Sequence, residues 1–340
     1  QYGCDVNVSS HGDKRTALHE AAKLCSKSLV AALVQAGAST NATDAMGCTP
    51  LLLALQSLSH NFSLELSACE EMLSLLLVDY RDINKSDAKG HGPLFYAAPS
   101  QCPSLIRFLL DKGADPRQIS LDGGTCLDIA IESSACDVAK LLLEHGAPAN
   151  VVSNLFGTAL HSSVTLVQSS ILSLIAEHLN DLDQKNQSGM TALVIAIRME
   201  NLFAIRILLQ NNCSVNYTYG KESLFNMAVM SDQCFAVKML MIAGCPYSLD
   251  NLRSLGTRSL KQLCCTSEED ICTSCRDSVI KRLNTPPALR SLCRTWIRFH
   301  LPKNLPFKKQ VEMLDLPRAM KDFLTLKELD DFDLKEEEHV

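Results

Sequence analysis

Four cysteines late in the chain have a spacing that could bind a metal ion. They lie in the stretch CCTSEEDICTSC, as Cys264, Cys265, Cys272 and Cys275. The Cys-x-x-Cys pair at Cys272 and Cys275 is typical of zinc ligands. A complete site needs a second well-spaced pair, whereas the two adjacent cysteines strain tetrahedral geometry. We therefore expect no metal and no other cofactor, and interpret these residues as thiols of a helical capping segment. A zinc-dependent protein remains the alternative that metal analysis would test.

Two histidines that could act in catalysis recur at one position of a repeated motif. His19 lies in TALHEA and His161 in TALHSS, whereas other copies of the motif have Leu, Phe, Asp, Val or Asn at that position. A catalytic or metal-binding function does not fit such a variable position, so we expect packing and hydrogen bonding. The chain also lacks G-x-S-x-G, H-E-x-x-H and a phosphate-binding glycine loop that ends in Lys-Ser/Thr. The sequence therefore predicts a protein that is not an enzyme.

Composition excludes several kinds of partner. The 340 residues are 46% hydrophobic and have a net charge of -6, so no basic surplus is available to neutralise phosphates. No apolar run approaches the roughly 20 residues that a membrane span needs. The odd number of cysteines, 15, fits free thiols in a reducing compartment. We expect a cytoplasmic or nuclear protein with no nucleic-acid or membrane partner.

A six-residue motif recurs seven times, and most successive copies are 33 residues apart, as from Ala97 to Ala130. Its sixth position is always small: Ala21, Ala54, Ala97, Ala130, Ser163, Ala196 and Ala228. A larger side chain would separate two closely crossing helices. A second apolar run follows each motif, and most runs end at a glycine suited to the left-handed conformation that closes a helix. These glycines are Gly37, Gly113, Gly146 and Gly244.

The pattern resembles the ankyrin repeat, which implies a helix pair and a hairpin finger in each unit. A partial first unit and seven further units cover residues 1–248, and unit two has extra residues near 57–66, between its two helices. Repeats of this kind form a stacked surface whose finger residues vary while the frame stays fixed. Aromatic, charged and Met side chains on fingers suit protein recognition. We expect a target protein to contact Met46, Lys89, Arg117, Phe156, Tyr217 and Tyr219.

The stretch PPALRSLCRTWIRFHL, residues 286–301, predicts an amphipathic helix that starts after two prolines. From periodicity alone, this helix could simply cap the stack. Its residue types resemble the elongin-binding box of the SOCS box, in which a small residue, Leu, Cys and an aliphatic residue occur at this spacing. The resemblance implies contacts with elongin C by Ala288, Leu289, Leu292, Cys293 and Ile297.

The stretch VEMLDLPRAMKDFL, residues 311–324, resembles the cullin-selecting part of the same module. The resemblance implies cullin contacts by Leu314, Leu316, Pro317, Met320 and Phe323. Asp315 stands where a proline is often found, so cullin-2 remains an alternative to cullin-5.

Nearly the whole chain is therefore similar to the ankyrin repeat and SOCS box family. The implied fold is all-α: an ankyrin-repeat solenoid with short β-hairpin fingers, followed by a small three-helix SOCS box. We expect residues 249–285 to form a helical cap or linker, 286–326 the SOCS box, and 327–340 a disordered acidic tail. The implied function is a ubiquitin-ligase adaptor that binds a target protein, elongins B and C, and cullin-5 with its RING subunit. A non-ligase ankyrin scaffold is the alternative.

Overall fold

The computed structural model describes residues 5–60, 66–77, 83–154, 157–165, 169–231, 233–246, 307–313, 316 and 318–325. The chain divides into two compact units, residues 1–159 and 160–340. Each unit contains pairs of short helices, and in the described ranges the structure is mostly helical. None of the helices in these ranges combines the length and apolar character that a bilayer crossing needs.

The first unit contains four helix pairs, and the fifth pair begins at its last residue. The bounds are α1 Ala17–Lys23, α2 Lys27–Gln35, α3 Pro50–His60, α4 Leu66–Leu76, α5 Pro93–Ala97, α6 Pro103–Asp111, α7 Cys126–Glu132 and α8 Cys136–Glu144. A 3-10 turn, Ala98–Ser100, extends α5.

The helices from Ala159 onward continue the pattern, followed by two short helices near the C-terminal end. The bounds are α9 Ala159–Val164, α10 Ser169–His178, α11 Ala192–Arg198, α12 Leu202–Gln210, α13 Leu224–Met230, α14 Cys234–Ile242, α15 Phe307–Met313 and α16 Arg318–Leu324. Strands β1, Thr218–Tyr219, and β2, Glu222–Ser223, form an antiparallel hairpin ahead of α13.

The sequence determines where several of these helices begin. The hydroxyl groups of Thr125, Thr191 and Ser223 each accept a hydrogen bond from a backbone N–H three residues further on. In each helix the bond satisfies one of the backbone N–H groups of the first turn that have no partner within the helix. Pro50 is the first residue of α3, where its missing N–H costs no helical hydrogen bond.

Packing between repeats follows the predicted pattern. In the first unit α1 packs on α3 and α3 on α5, while α2 packs on α4 and α4 on α6. In the second unit α11 packs on α13, and α12 packs on both α10 and α14. The seven small residues of the motif are buried, between 0 and 4% exposed. The predicted ankyrin-repeat architecture is confirmed, and small side chains permit the close helix contacts that define it.

The predicted helix stops also lie in the left-handed region of backbone conformation. Gly113, with φ of +93°, donates its N–H to the carbonyl of Leu110, and the next residue donates to Leu109. These two bonds satisfy carbonyls at the end of α6. Asn212 takes the same conformation, with φ of 67°, where the sequence has no glycine.

The inserted residues of the second repeat lengthen its helices. The sequence predicts residues 57–66 as a connection between helices, whereas residues 57–60 continue α3 as far as His60. Leu58 and Ser59 are buried, so the apolar side of α3 extends by about one turn. The second helix of the repeat, α4, begins at Leu66.

Candidate protein-interaction surfaces

Each helix pair is preceded by a tight turn, called a finger below; the turn of residues 10–15, ahead of α1, is the first. In the second finger the carboxylate of Asp44 organises the turn, because its Oδ1 accepts the backbone N–H groups of Met46 at 2.8 Å and Cys48 at 2.9 Å. Arg15 Nε lies 3.2 Å from Asp44 Oδ2 and balances this buried charge. Asp87 makes the corresponding pair of backbone bonds in the third finger. A side chain therefore fixes the path of each of these two turns.

Main-chain hydrogen bonds link consecutive fingers of the first unit into a ladder. The N–H groups of Ala45, Ala88, Leu121 and Asn154 donate, at 2.8 to 3.1 Å, to the carbonyls of Asp13, Met46, Lys89 and Asp122 respectively. The fingers come so close that a β-carbon on Gly47 would lie 2.7 Å from Ala88 N. Only glycine fits at that contact, which also has a φ of +79°.

The ladder places four residues with exposed side chains on three consecutive fingers. Met46 is 53% exposed, Leu121 is 80% exposed, and Lys89 and Asp122 are exposed as well. We name Met46, Lys89, Leu121 and Asp122 the fingertip ridge. Of these four, Met46 and Lys89 are predicted target-binding residues. The sequence does not predict Leu121 as a target-binding residue, because alanine occupies the same finger position in the two preceding repeats.

Two further apolar side chains flank the fingertip ridge. Ile119 is 50% exposed and Val152 is 42% exposed, and they occupy equivalent positions in consecutive fingers. Ser120, between Ile119 and Leu121, is buried, so the alternation of an extended chain places those two side chains on the solvent side.

The remaining predicted target-binding residues lie elsewhere. The guanidinium of Arg117 packs over Gly146, where an added β-carbon would lie 3.2 Å from Nη2. Tyr217 donates its hydroxyl to the carbonyl of Gly189, and its ring lies 4.9 Å from Lys185 Nζ, so both of its ends have partners within the second unit. Tyr219 is half-buried in β1, opposite Glu222. The sixth predicted residue, Phe156, lies outside the described residues.

A partly buried polar cluster packs against the third finger. Tyr96 donates its hydroxyl to Asp87 Oδ2 at 2.8 Å, and the Cys48 thiol lies 3.7 Å from the same hydroxyl. The His91 ring stacks on Phe95, with centroids 5.1 Å apart. Burial, together with the hydrogen bond to Asp87, raises the pKa of Tyr96, and burial raises the pKa of the Cys48 thiol. Both groups are therefore neutral supports of the finger rather than reactive groups.

The two histidines of the motif connect neighbouring repeats. Nδ1 of the buried His19 accepts the backbone N–H of Thr16 at 3.1 Å, so its proton is on Nε2, which lies 3.1 Å from the carbonyl of Cys48. In the second unit His161 Nε2 lies 3.0 Å from the carbonyl of Met190, again 29 residues on. Burial lowers the pKa of both rings. These contacts agree with the predicted function of the two histidines, which is packing and hydrogen bonding.

Burial raises the pKa of five thiols among the described residues, those of Cys25, Cys48, Cys69, Cys126 and Cys245. Burial raises the pKa of Cys126 to about 12 and that of Cys25 and Cys245 to about 11. Since the thiolate is the nucleophile, these cysteines are inert at neutral pH. Within the described part of the chain, no group of three or more His, Cys, Asp or Glu side chains could hold a metal ion. The sequence cluster from Cys264 to Cys275 lies outside that part.

The two C-terminal helices lie within the second unit. Val311 in α15 and Leu324 in α16 are buried, at 1% and 2% exposed, and Lys321 Nζ donates to the carbonyl of Glu312 at 2.7 Å. Lys308 of α15 forms an ion pair with Glu177 of α10.

The structure describes only part of the predicted cullin-binding set. Met320 of α16 is 53% exposed and Leu316 is half-buried. Leu314, Pro317 and the side chain of Phe323 lie outside the described residues. The same holds for all of the predicted elongin-binding residues: Ala288, Leu289, Leu292, Cys293 and Ile297.

Comparison with known families identifies the repeats and the C-terminal segment. The family model for ankyrin repeats in three copies matches residues 62–154 and 160–251, and the model for a single ankyrin repeat matches residues 13–45. The chain is also 32% identical to a protein of fowlpox virus (strain NVSL) named as an ankyrin repeat protein. That match spans 127 residues, which are 37% of this chain and 82% of the viral protein. Helix pairs, fingers and matches together define an ankyrin-repeat protein.

The C-terminal segment gives the narrower family. The model for the SOCS box matches residues 285–325, which include the predicted elongin and cullin residues. The chain therefore belongs to the ankyrin repeat and SOCS box family. Its two modules support the general class of a SOCS-box ubiquitin-ligase substrate adaptor, and proteins of this kind are in general adaptors rather than catalysts. A SOCS box implies binding to elongins B and C and to a cullin.

Proposed function

We propose that this chain is the substrate-recognition subunit of a RING ubiquitin ligase that contains elongin B, elongin C and cullin-5. The observation that carries the proposal is the order of modules, an ankyrin array followed by a SOCS box at residues 285–325. In this arrangement the fingers hold the target protein, while the C-terminal box joins the chain to the ligase.

The elongin contact depends on Leu289 and Cys293, one turn apart on the predicted helix. Leu289 enters an apolar pocket on elongin C, and burial of a leucine contributes about 1.5–3 kcal/mol. Cys293 is small and apolar, which allows close approach in the middle of the helix. Ile297 extends the same apolar stripe by one more turn.

Ubiquitin transfer then follows from proximity. The adaptor holds the target's lysines near a charged conjugating enzyme carried by the RING subunit, which raises their effective concentration. This chain forms no thioester in that scheme. The raised pKa of Cys126, Cys25 and Cys245 supports this assignment for those three cysteines.

Coexpression with elongins B and C tests the proposal. We expect the wild-type chain to copurify with both elongins in equal amounts, and Leu289→Asp to abolish copurification while the repeats keep their unfolding temperature. A matched control is Leu24→Asp, because Leu24 is a 70% exposed leucine at the end of α1. If the wild type fails to copurify, the chain is a scaffold whose terminal helices cap the stack.

Cullin choice needs a separate measurement, because Asp315 replaces a proline that is common in the cullin-selecting pattern. We expect the purified elongin complex to bind cullin-5 more tightly than cullin-2 in direct titrations. A preference for cullin-2 would keep the adaptor function and change the ligase to which it belongs.

A further inference from the structure

The fingertip ridge has more exposed apolar surface than the surrounding repeats need. In the described part of the first unit, seven large apolar side chains are exposed, and four of them lie on fingers: Met46, Ile119, Leu121 and Val152. Single exposed apolar residues are common on protein surfaces, whereas a contiguous group marks an interaction site.

The ladder bonds place the backbones of the ridge residues next to one another. Met46 shares a main-chain hydrogen bond with Ala88, the residue before Lys89, and Lys89 shares the next one with Leu121. Followed from Met46 through these bonds and along the backbone to Asp122, the residue order is apolar, cationic, apolar and anionic.

The two charges on the ridge differ in how they are held. No carboxylate among the described residues forms an ion pair with the Lys89 ammonium, so its charge faces solvent. Asp122 accepts a hydrogen bond from the Ser120 hydroxyl, and this bond lowers the pKa of the carboxyl group and keeps it ionised. Lys89 is thus an exposed cation on the finger between those of Met46 and Leu121, and Asp122 is an anion held by its own turn.

Given the target-binding function proposed for the ankyrin repeats, we propose that the fingertip ridge selects target segments by a defined residue order. The preferred segment carries an acidic residue between two large apolar residues, followed by a basic residue. The apolar side chains contact Met46 and Leu121, the acidic group pairs with Lys89, and the basic group pairs with Asp122. Complementary charges of this kind fix the register of a bound segment and exclude partners of the wrong sign.

Selection from phage-displayed random linear peptides, with the full chain as bait, tests this specificity. The selected peptides are expected to share the apolar, acidic, apolar, basic order. Their affinities are then measured by fluorescence anisotropy with the wild type, Leu121→Ser, Lys89→Glu and a control, Leu24→Ser. Leu24 is 70% exposed but lies at the end of α1 rather than on a finger.

Each variant has its own expected result. Leu121→Ser weakens binding of the selected peptides by about tenfold or more, the effect of losing one buried leucine side chain. Lys89→Glu weakens it too, and a second selection on this variant yields peptides with a basic residue at the formerly acidic position. Leu24→Ser binds like the wild type. All three substituted side chains are exposed, so equal unfolding temperatures are expected and are measured on the same samples.

Three outcomes would overturn the inference. The first is a selection without a shared residue order, and the second is a shared order whose binding is the same in Leu121→Ser and Lys89→Glu. The third is self-association of the wild type in sedimentation that Leu121→Ser abolishes, which would make a second copy the occupant of the ridge. Elongin copurification is a separate readout, so a failed ligase function and a failed ridge specificity are distinguishable.

Discussion

Lys308 Nζ lies 2.9 Å from Glu177 Oε1, although 131 residues separate the two in sequence. Lys308 belongs to α15, within the segment that matches the SOCS box, and Glu177 belongs to α10 of the fifth helix pair. The ion pair therefore joins the segment that matches the SOCS box to the ankyrin repeats within the second unit. An adaptor needs such a connection, because the distance between target and ligase depends on how its two modules are held.

A charge swap measures this ion pair. Lys308→Glu and Glu177→Lys each place two like charges together, while the double variant restores an attractive pair. Because the two side chains are 36% and 44% exposed, we expect a coupling of only about 0.2–1 kcal/mol in a double-mutant cycle from urea unfolding. The coupling should shrink in high salt. Additive single effects would show that the contact contributes nothing to the link.

Mild acid should destabilise the repeats through His19 and His161. Burial holds the pKa of both rings below the ordinary value of 6.5, so the unfolded chain takes up protons that the folded chain does not. The free energy of unfolding is therefore unaffected by these groups above pH 6.5 and falls as the pH decreases below it. The slope is about 1.4 kcal/mol per pH unit for each histidine, until the pH reaches the folded-state pKa.

The variant His161→Asn isolates this contribution from carboxyl groups such as Asp128, whose pKa is raised by burial. Asparagine already occupies the same motif position at residue 226. We expect the variant to be less stable than the wild type at pH 7.5, because the bond to Met190 is weakened, but to lose less stability on acidification. An unchanged slope between pH 7 and pH 5 would argue against a neutral buried ring at His161.

Enlarging a small motif residue should destabilise the helix stack. Ala196 in α11 is fully buried, so Ala196→Leu forces neighbouring side chains out of their preferred rotamers and costs about 1–3 kcal/mol. The control is Ala45→Leu, because Ala45 is exposed at a fingertip and substitutions there are expected within about 0.5 kcal/mol of the wild type. Chemical denaturation of both variants makes the comparison, and equal losses would contradict the packing account.

The third finger should depend on the hydrogen bond between Tyr96 and Asp87. Tyr96→Phe removes one of three bonds to the Asp87 carboxylate and keeps the ring, so we expect a loss of about 1–2 kcal/mol. Asp87→Ala removes all three and should cost more. Amide hydrogen exchange offers a local readout, since the backbone N–H groups of Lys89 and His91 should lose protection only in Asp87→Ala. If both N–H groups stay fully protected in Asp87→Ala, contacts other than the Asp87 carboxylate hold the turn.

The sequence predicts the repeat frame well because that frame depends on side-chain types at fixed spacings. Three physical requirements can be read directly from residue types. Close helix contact needs a small residue such as Ala130, a helix start needs a capping residue such as Thr125, and a left-handed helix end favours a glycine such as Gly113. His19 is assigned correctly for a related reason, since its motif position varies too much for chemistry.

Other features leave no comparable signal in the sequence. The finger ladder is made of backbone groups, which every residue other than proline carries, and so Leu121 is not recognisable as part of a ridge. The helical extension of α3 to His60 depends on burial of Leu58, which is contributed by tertiary packing. The contact of Lys308 with Glu177 could not be predicted, because the two residues are 131 positions apart and no sequence pattern indicates that they are close in space.

The ladder of main-chain bonds has an evolutionary consequence. Because the bonds between fingers are made by carbonyl and N–H groups, replacing the side chain of Leu121 or Lys89 would alter the proposed recognition and leave these bonds intact. Gly47 is the exception, since a close backbone contact fixes its identity. Duplicated genes with this architecture can therefore diverge towards new clients by a few codon changes, with little penalty in folding along the way.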